Sequence, residues 1–411
     1  MVIDSMNIFI VLALAMGIIL VLLKKKVPIG PAILTGGLFI WAVKAPEVHY
    51  LVSAARETVT MRRTFDLIAA LYLVMCLEIE LRTSGCLDGM VKALHRIFSS
   101  ARVTLAIMPA FLGMLPSLGG ARFSAPIVET AAKEANIDAD HKAAINFWFR
   151  HIFEFSNPII PGMIMAVSIA GVKYSDFIIH LGWMTVMAFA CGWFVLIRPI
   201  KVDRDIAGEA QSEAEKHRYN VDLMLSLAPV IVNFGLAVFC GFDASAAMLA
   251  VVIGLLPVLY MTGRRVNVKN VFLGACDWKM LINVATILYF IQILTTTHVL
   301  DEIVYAFRTS PLPVPVIIAG VTFVIGVLTG MSQGHVAIIM PIVAALEPGS
   351  LNLAGIAMAF GIAGQMLTPT HMCLLVTIDY FKSDFFKTLK PILILEIMIL
   401  SVFTVYTYFT Y

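Results

Sequence analysis

The chain has 411 residues, of which 60% are hydrophobic and 14% are charged, and its mean hydropathy is +0.91. Soluble domains are about 45–50% apolar and about 25% charged, so this composition excludes a soluble protein and indicates one embedded in a bilayer. The formal charge is only +2, no basic block suggests nucleic acid, and the six cysteines show no CxxC or metal-ligand spacing. We therefore expect no nucleic-acid partner, no cofactor and no metal beyond Na⁺, and we interpret the cysteines as small apolar helix residues.

Apolar stretches long enough to cross about 30 Å of hydrocarbon recur along the whole chain. Single spans are predicted at about 6–23, 27–44, 65–81, 177–197, 219–240, 242–262, 280–297 and 387–410. Two longer stretches, 141–172 and 350–378, are each predicted to be one helix broken near its middle. Two more, 101–134 and 312–345, are interrupted by Gly, Ser and polar residues. Their halves of about 14 residues are short for full crossings and suit re-entrant hairpins.

The basic residues predict the orientation of the chain. Lys24–Lys26 follow the first span, which has no basic region before it, and this favours a retained helix whose inner end they mark. With ten crossings, most of the other Lys and Arg residues also lie inside, so both termini are expected outside a prokaryotic cytoplasmic membrane. The polar segment 201–218 is then a cytoplasmic linker, and Glu78 and Glu80 are interpreted as interfacial.

The two halves of the chain, 1–200 and 219–411, resemble each other at a nearly constant offset. The matching segments include 71–73 with 288–290, 117–120 with 332–335, 126–128 with 341–343, and 154–158 with 365–369. Each half is predicted to hold five crossings and one hairpin. An odd number of crossings inverts the second half relative to the first, which is the arrangement of many secondary transporters.

The breaks in the long helices have a physical interpretation. Asn157-Pro158 and Thr368-Pro369 each place a capping residue before a proline. A capping residue at the N-cap and a proline at N1 are the preferred start of a new helix. Both pairs fall near the bilayer centre, where unwound backbone survives only against protein or a water-filled cavity. The returning half-helices point electropositive amides into this region, which favours an anion, while exposed carbonyls can hold Na⁺. Ordinary helix kinks remain the alternative.

Charged residues lie close to these breaks. Intramembrane charge costs several kcal/mol, so Arg122 and Glu154 are candidates for function. The repeat counterparts of Arg122, Arg150 and Glu154 are uncharged: Ala337, Gly361 and Gln365. The fold therefore does not require charge at these positions, although Arg150 and Glu154, spaced i,i+4, could simply neutralise each other. His335 and His371 are as compatible with packed, hydrogen-bonded histidines as with proton carriers.

Two sets of candidate site residues follow from these patterns. For binding an anionic substrate we predict Arg122, Gly119, Gly120, Asn157, Gly334, His335, Thr370 and His371. For cation coupling we predict Ser117, Ser332, Gln333, Glu154, Thr368 and Gln365. No residue is assigned a catalytic role.

With these motifs, the chain resembles the ion-transporter superfamily, which includes divalent-anion/Na⁺ symporters, citrate transporters and NhaB-like antiporters. The stretches Met114-Leu-Pro-Ser-Leu-Gly-Gly-Ala-Arg-Phe-Ser-Ala-Pro126 and Phe149-Arg-His-Ile-Phe-Glu-Phe155 look like an uncharacterised branch, the domain of unknown function four-zero-one. The resemblance implies a scaffold domain, a mobile transport domain with two hairpins and two broken helices, elevator-type movement and a homodimer. The better-known symporters carry Ser-Asn-Thr at each hairpin tip. Here the tips are 117–119 and 332–334 with different residues, so dicarboxylate specificity does not carry over.

The sequence thus predicts an all-α integral membrane protein of two inverted repeats that works as a secondary active transporter. It would couple Na⁺ or H⁺ to the movement of a small, carboxylate-like organic anion. A cation/proton antiporter in which Glu154 exchanges ions is the alternative. An intramembrane enzyme is a distant one, because the sequence has no HExxH, GxSxG, P-loop or paired intramembrane Asp.

Overall fold

The computed structural model describes residues 7–98, 100–115, 121–132, 137–201 and 212–410, with the backbone alone at 95 and 121–123. The helices of the first half are α1 (Ile8–Lys24), α2 (Ile29–Lys44), α3 (Val48–Thr60), α4 (Arg62–Thr83), α5 (Cys86–Ile97), α6 (Ala101–Met114), α7 (Ala121–Ala132), α8 (Ala139–His151), α9 (Pro161–Ala170) and α10 (Tyr174–Gly192). Those of the second half are α11 (Glu213–Phe239), α12 (Ala244–Met261), α13 (Val268–Gly274), α14 (Trp278–Thr296), α15 (Val299–Arg308), α16 (Val314–Thr329), α17 (Ser332–Leu346), α18 (Leu351–Met366), α19 (Met372–Phe381) and α20 (Phe385–Thr410). A 3₁₀ turn, Ile152–Phe155, extends α8, and a π-helical turn, Trp193–Ile197, extends α10.

The lengths and compositions of these helices are those of a multi-pass membrane protein. Among the described residues, five helices are long and apolar enough to cross a bilayer: α10 with its π-helical turn, α11, α12, α14 and α20. The arms of the predicted hairpins and broken helices are shorter, between 10 and 16 residues for α6, α9 and α16 to α19. The number of crossings and the direction of the termini stay predictions.

The helices of the two halves follow one order and pack in corresponding pairs. Helix α2 packs on α14 while α4 packs on α12, and α6 packs on α8 while α16 packs on α18. In the same way α9 packs on α17, and α7 packs on α19. If α1 to α10 correspond in order to α11 to α20, each contact in one half has its counterpart in these pairs. This is the pattern that an internal repeat predicts. The inversion of one half relative to the other stays a prediction.

Close contact between α16 and α18 depends on glycine. A side-chain carbon at Gly364 would collide with the Phe323 carbonyl oxygen, and one at Gly326 would collide with the Gly361 carbonyl oxygen. Small residues that let helix backbones approach are the usual packing device of membrane helices, because lipid is as apolar as a leucine side chain. The second hairpin is thereby held against the second broken helix.

Gly364→Val is therefore expected to destabilise the protein, by about 1–3 kcal/mol from overpacking. The matched control is Gly320→Val on α16, because no neighbouring atom lies within 4 Å of a side-chain carbon placed there. Thermal unfolding in detergent, followed by size-exclusion chromatography, measures both variants. A Gly364→Val protein as heat-stable as Gly320→Val would contradict the close packing of α16 on α18.

Some elements differ from the sequence-based prediction. Helix α11 begins at Glu213, inside the predicted linker 201–218, because Ser212 and Glu215 form a capping box that starts the helix early. Short helices α3, α5, α13 and α15 were not predicted. In α5 and α15 the buried residues recur at helical spacing on one face, as in helices that lie along a membrane surface. Glu80, predicted to be interfacial, is fully buried within the protein, and neither carboxyl oxygen has a hydrogen-bond partner among the described residues. Its depth in the membrane stays a prediction.

Candidate functional site

Both predicted breaks in the long helices are present, but each returning helix begins later than predicted. Helix α9 starts at Pro161 rather than at Pro158, and α19 starts at Met372 rather than at Pro369. A second proline explains the first shift, since Pro161 occupies the N1 position with the fixed φ that a helix start favours. At the second break, His371 is the N-cap of α19. Each break therefore contains a short unwound segment instead of a single kinked residue.

Each of the two unwound segments contains the same type of local hydrogen bond. The Oδ1 atom of Asn157 accepts a bond from the Ile159 amide at 3.1 Å, and the Oγ1 atom of Thr368 accepts one from the Thr370 amide at 3.2 Å. Both are two-residue side-chain turns, the structure that Asn and Thr adopt before a proline. Asn157 also donates through Nδ2 to the Met114 carbonyl oxygen at 2.6 Å, which ties the first break to the end of α6.

The turn of the second hairpin lies between the two breaks. Gly330 has φ +64°, a left-handed conformation that favours glycine, and a side chain there would collide with Thr370. Two residues later, Ser332 begins α17 and packs against Gly162, so closely that a side-chain carbon at Gly162 would lie 2.5 Å from the Ser332 Oγ atom. The hairpin tip thus touches the second broken helix through Gly330 and the first through Ser332.

Glu154 lies at this junction, in the 3₁₀ turn that precedes the first break. Its carboxyl group lies beside the side chains of Gln365 and Ser332 and near the Arg150 guanidinium. The Oε2 atom of Glu154 and the Oε1 atom of Gln365 are both buried and have no hydrogen-bond partner among the described residues. A buried acceptor oxygen without a donor is unfavourable unless a cation or a proton binds it. This Glu154–Gln365–Ser332 group is referred to below as the acceptor cluster.

Three buried histidines lie close in sequence to members of the acceptor cluster. The Nδ1 atom of His371 lies 2.9 Å from the Gln365 carbonyl oxygen, and that of His151 lies 2.7 Å from the Phe147 carbonyl oxygen. The rings of His151 and His371 meet edge to face with their centroids 4.8 Å apart. His335 is completely buried against Gly361, and neither ring nitrogen bonds to a described residue. His371 therefore lies directly at the second break, whereas His335 lies inside the hairpin packing.

The remaining predicted site residues fall into four groups. Gly334 is buried, and a side chain there would collide with Thr329, so it serves the packing of the hairpin turn. Thr370 is exposed and its Oγ1 atom lies 3.0 Å from that of Thr368, while Gln333 is half-buried. Ser117, Gly119 and Gly120 lie outside the described residues. For Arg122 the described part is the backbone, which is the second residue of α7.

Two features near the site were not predicted from the sequence. Cys373, interpreted as a packing residue, lies beside Arg150 and Glu154. Glu396 of α20 is 3% exposed, its Oε2 atom has no partner among the described residues, and it lines a small cavity together with His151. Glu396 lies in an otherwise apolar span, and intramembrane acidic residues are the signal that could have identified it.

Comparison with known proteins places the chain in a family. The model of the family described as "Protein of unknown function (DUF401)" matches residues 8–409. The chain belongs to this family. The predicted branch is thereby confirmed, while membership of the wider ion-transporter superfamily stays a prediction. No curated protein matches the sequence of this DUF401 protein.

The fold of the DUF401 protein is similar to that of a transporter of known structure. The crystal structure of the YdaH transporter of Alcanivorax borkumensis, described as having an unusual topology, superposes with a TM-score of 0.57. The two sequences are 10% identical over 89% of this chain and 88% of the other. At this identity the likeness concerns the fold.

Proposed function

We propose that this protein is a secondary active transporter that couples Na⁺ or H⁺ to the movement of a small, carboxylate-like organic anion. The acceptor cluster carries the proposal, because buried oxygens without donors at the meeting point of a hairpin and two broken helices suit a coupling cation or proton. The similarity in fold to a transporter supports the same class of function and gives no support to an enzyme.

The anion is expected to bind where helix N-termini converge. Helices α9, α17 and α19 begin at or beside the breaks, and their first amides offer partial positive charge to a carboxylate. Arg122, in the first turn of α7, would add a bidentate partner for the carboxylate. The cation and the anion would thus be held at neighbouring positions, which is the simplest basis for coupling their movements.

An open cavity lies beside α9, one of the helices that begin at the breaks. It has a volume of about 930 Å³ and lies between the start of α4, the C-terminal part of α9 and the junction of α11 with α12. Ile164 and Val167 of α9 line it, and Gly162 of the same helix contacts Ser332. Arg62, Arg63 and Lys173 lie around it together with Asp66 and Asp243, both of which pair with Arg62. The small net positive charge favours an anion near the cavity over a cation.

Alternating access by an elevator-type movement is part of the proposal. The hairpins, broken helices, α10 and α20 would form the transport domain, and the remaining helices would form the scaffold, in a homodimer within the prokaryotic cytoplasmic membrane. Residues such as Phe239, 83% exposed, and Tyr408, 81% exposed, would face lipid or the second subunit.

Uptake by proteoliposomes tests the proposal. The purified protein is reconstituted, and a panel of radiolabelled small carboxylates is offered under an imposed Na⁺ gradient, an imposed pH gradient, both or neither. We expect one or more carboxylates to enter faster with a gradient than without, and the stimulation to disappear when an ionophore removes the gradient. If no carboxylate enters under any gradient, the anion part of the proposal is wrong.

A cation/proton antiporter is the second candidate, and the buried Glu154 oxygen without a partner favours it equally. In that mechanism Glu154 binds Na⁺ and H⁺ in turn, and no organic substrate exists. A proton flux driven by a Na⁺ gradient in the absence of any organic anion would identify it.

Ser332→Ala and Thr368→Ala are each expected to raise the cation concentration needed for half-maximal uptake by roughly 2- to 10-fold, because each removes one oxygen worth about 0.5–1.5 kcal/mol. The control is Thr322→Ala, whose buried hydroxyl donates to the Ile318 carbonyl oxygen of its own helix. Initial uptake rates at varied Na⁺ and pH measure the effect. Activation curves that match the parent in both variants would remove these hydroxyls from the cation site.

A further inference from the structure

Three potential metal ligands lie together at the facing ends of the two broken helices. One ring nitrogen each of His151 and His371 and the Sγ atom of Cys373 lie within 4.8 Å of one another. His151 ends α8, and the other two residues lie at the start of α19, so the group joins the two halves of the chain. In the part of the chain that the structure describes, no other three His, Cys, Asp or Glu residues converge in this way.

Both imidazole rings are held by a hydrogen bond to the backbone. Each ring places Nδ1 against a backbone carbonyl oxygen, that of Phe147 for His151 and that of Gln365 for His371. A ring N–H held by a carbonyl fixes the tautomer and leaves Nε2 with its electron pair free, as in many histidines that bind metal ions. The two side chains are buried, with exposed fractions of 7% and 6%.

Two charged groups lie close to Cys373. Its thiol lies beside the Arg150 guanidinium. The Glu154 carboxyl group lies near both. A metal ion bound by Cys373 would displace the thiol proton, so the thiolate formed on binding and the Glu154 carboxyl group would together offset part of the cost of burying the cation.

We propose that His151, His371 and Cys373 form a binding site for a thiophilic cation such as Zn²⁺, joining the end of α8 to the start of α19. Imidazole and thiolate ligands suit Zn²⁺ at bond lengths of about 2.0–2.3 Å, so tetrahedral ligand atoms lie about 3.3–3.8 Å apart. The most distant of these ligand atoms must approach by roughly 1 Å, which small rotations of the Cys373 and histidine side chains can provide. The site goes beyond the proposed transport function, because metal binding needs neither a substrate nor a gradient.

Metal titration of the purified, chelator-treated protein in detergent tests the proposal. We expect one Zn²⁺ per chain and a rise in the thermal midpoint on binding, because a ligand specific to the folded state stabilises it. Co²⁺ serves as a spectroscopic probe, and a thiolate-to-Co²⁺ charge-transfer band should appear. Cys373→Ser should remove this band and weaken Zn²⁺ binding at least 10-fold, and His151→Gln should weaken binding similarly. Cys240→Ser, at an exposed cysteine, is the control and should leave both unchanged.

A Co²⁺ complex without the thiolate band, or Zn²⁺ affinity unaffected by both Cys373→Ser and His151→Gln, would overturn the site. Zn²⁺ binding lost in Cys240→Ser would show instead that the metal binds adventitiously at the surface. If Cys373→Ser does not fold, the His151→Gln variant and the Co²⁺ spectrum of the parent protein still decide the question.

Discussion

Glu154→Gln is expected to reduce cation-driven accumulation of the organic anion at least about 100-fold, a loss of about 2.7 kcal/mol. Glutamine preserves the size of the side chain and can still bond to Gln365 and Ser332, but it offers no negative charge to a cation and no site for a proton. A loss of this size is consistent with the several kcal/mol that removing one partner of a buried charge pair costs. Initial uptake by proteoliposomes, with equal amounts of folded protein verified by chromatography, measures it.

The matched control for this variant is Glu80→Gln. Glu80 is completely buried, and like the Oε2 atom of Glu154 its two carboxyl oxygens have no hydrogen-bond partner among the described residues, but it lies in α4, outside both helix breaks. Removal of an unpaired buried charge should leave uptake nearly unchanged there and could raise stability. Equal losses of uptake in the two variants would mean that burial of a carboxyl group, rather than the position of Glu154, decides activity.

Arg122→Ala is expected to abolish anion uptake nearly completely, and Arg122→Lys to weaken it substantially. Arg122 is the second residue of α7, where the helix terminus is already electropositive, so a cation there is unfavourable until an anion arrives. Its guanidinium offers two parallel hydrogen bonds to a carboxylate, and lysine offers a single point charge instead. The dependence of initial rate on anion concentration measures the effect, with a large rise in the concentration for half-maximal rate expected for the lysine variant.

Arg102→Ala provides the control for Arg122. Arg102 lies in the same hairpin and donates through Nε to the Ile200 carbonyl oxygen at 3.0 Å, a contact that connects α6 to the end of the first half. We expect its loss to affect stability more than uptake. If Arg122→Ala folds and retains full anion uptake while Glu154→Gln stops Na⁺/H⁺ exchange, the protein is an antiporter and the symport proposal is wrong.

The sequence predicted the elements that build the site because each has a strong local signal. A capping residue before proline located both breaks to within a few residues, and glycine with a serine located the turn that begins at Gly330. Glu154 and Gln365 occupy corresponding positions in the two repeats, and this correspondence identified both as candidates. It did not indicate that their side chains lie next to each other. Where the returning helices begin was predicted too early, since Pro161 competes with Pro158 for the N1 position.

Contacts between the two halves could not be predicted, because no local pattern encodes them. Ser332 meets Gly162 and His151 meets His371 only through the packing of α9 with α17 and the approach of α8 to α19. The same holds for Cys373, whose neighbours come from the other half of the chain. Short helices such as α15 were not predicted for a different reason. Only one face of such a helix is apolar, so its sequence contains no continuous apolar stretch.

Measurement of anion and cation fluxes in the same proteoliposomes tests the central claim most directly. Radiolabelled anion uptake is recorded together with Na⁺ influx and with internal pH, for the parent protein and for Glu154→Gln. The proposed function predicts that the anion enters together with Na⁺ or H⁺, in a fixed ratio, and that the coupled flux vanishes in the variant. Na⁺ and H⁺ moving in opposite directions with no anion flux, or coupled flux that persists in Glu154→Gln, would contradict it.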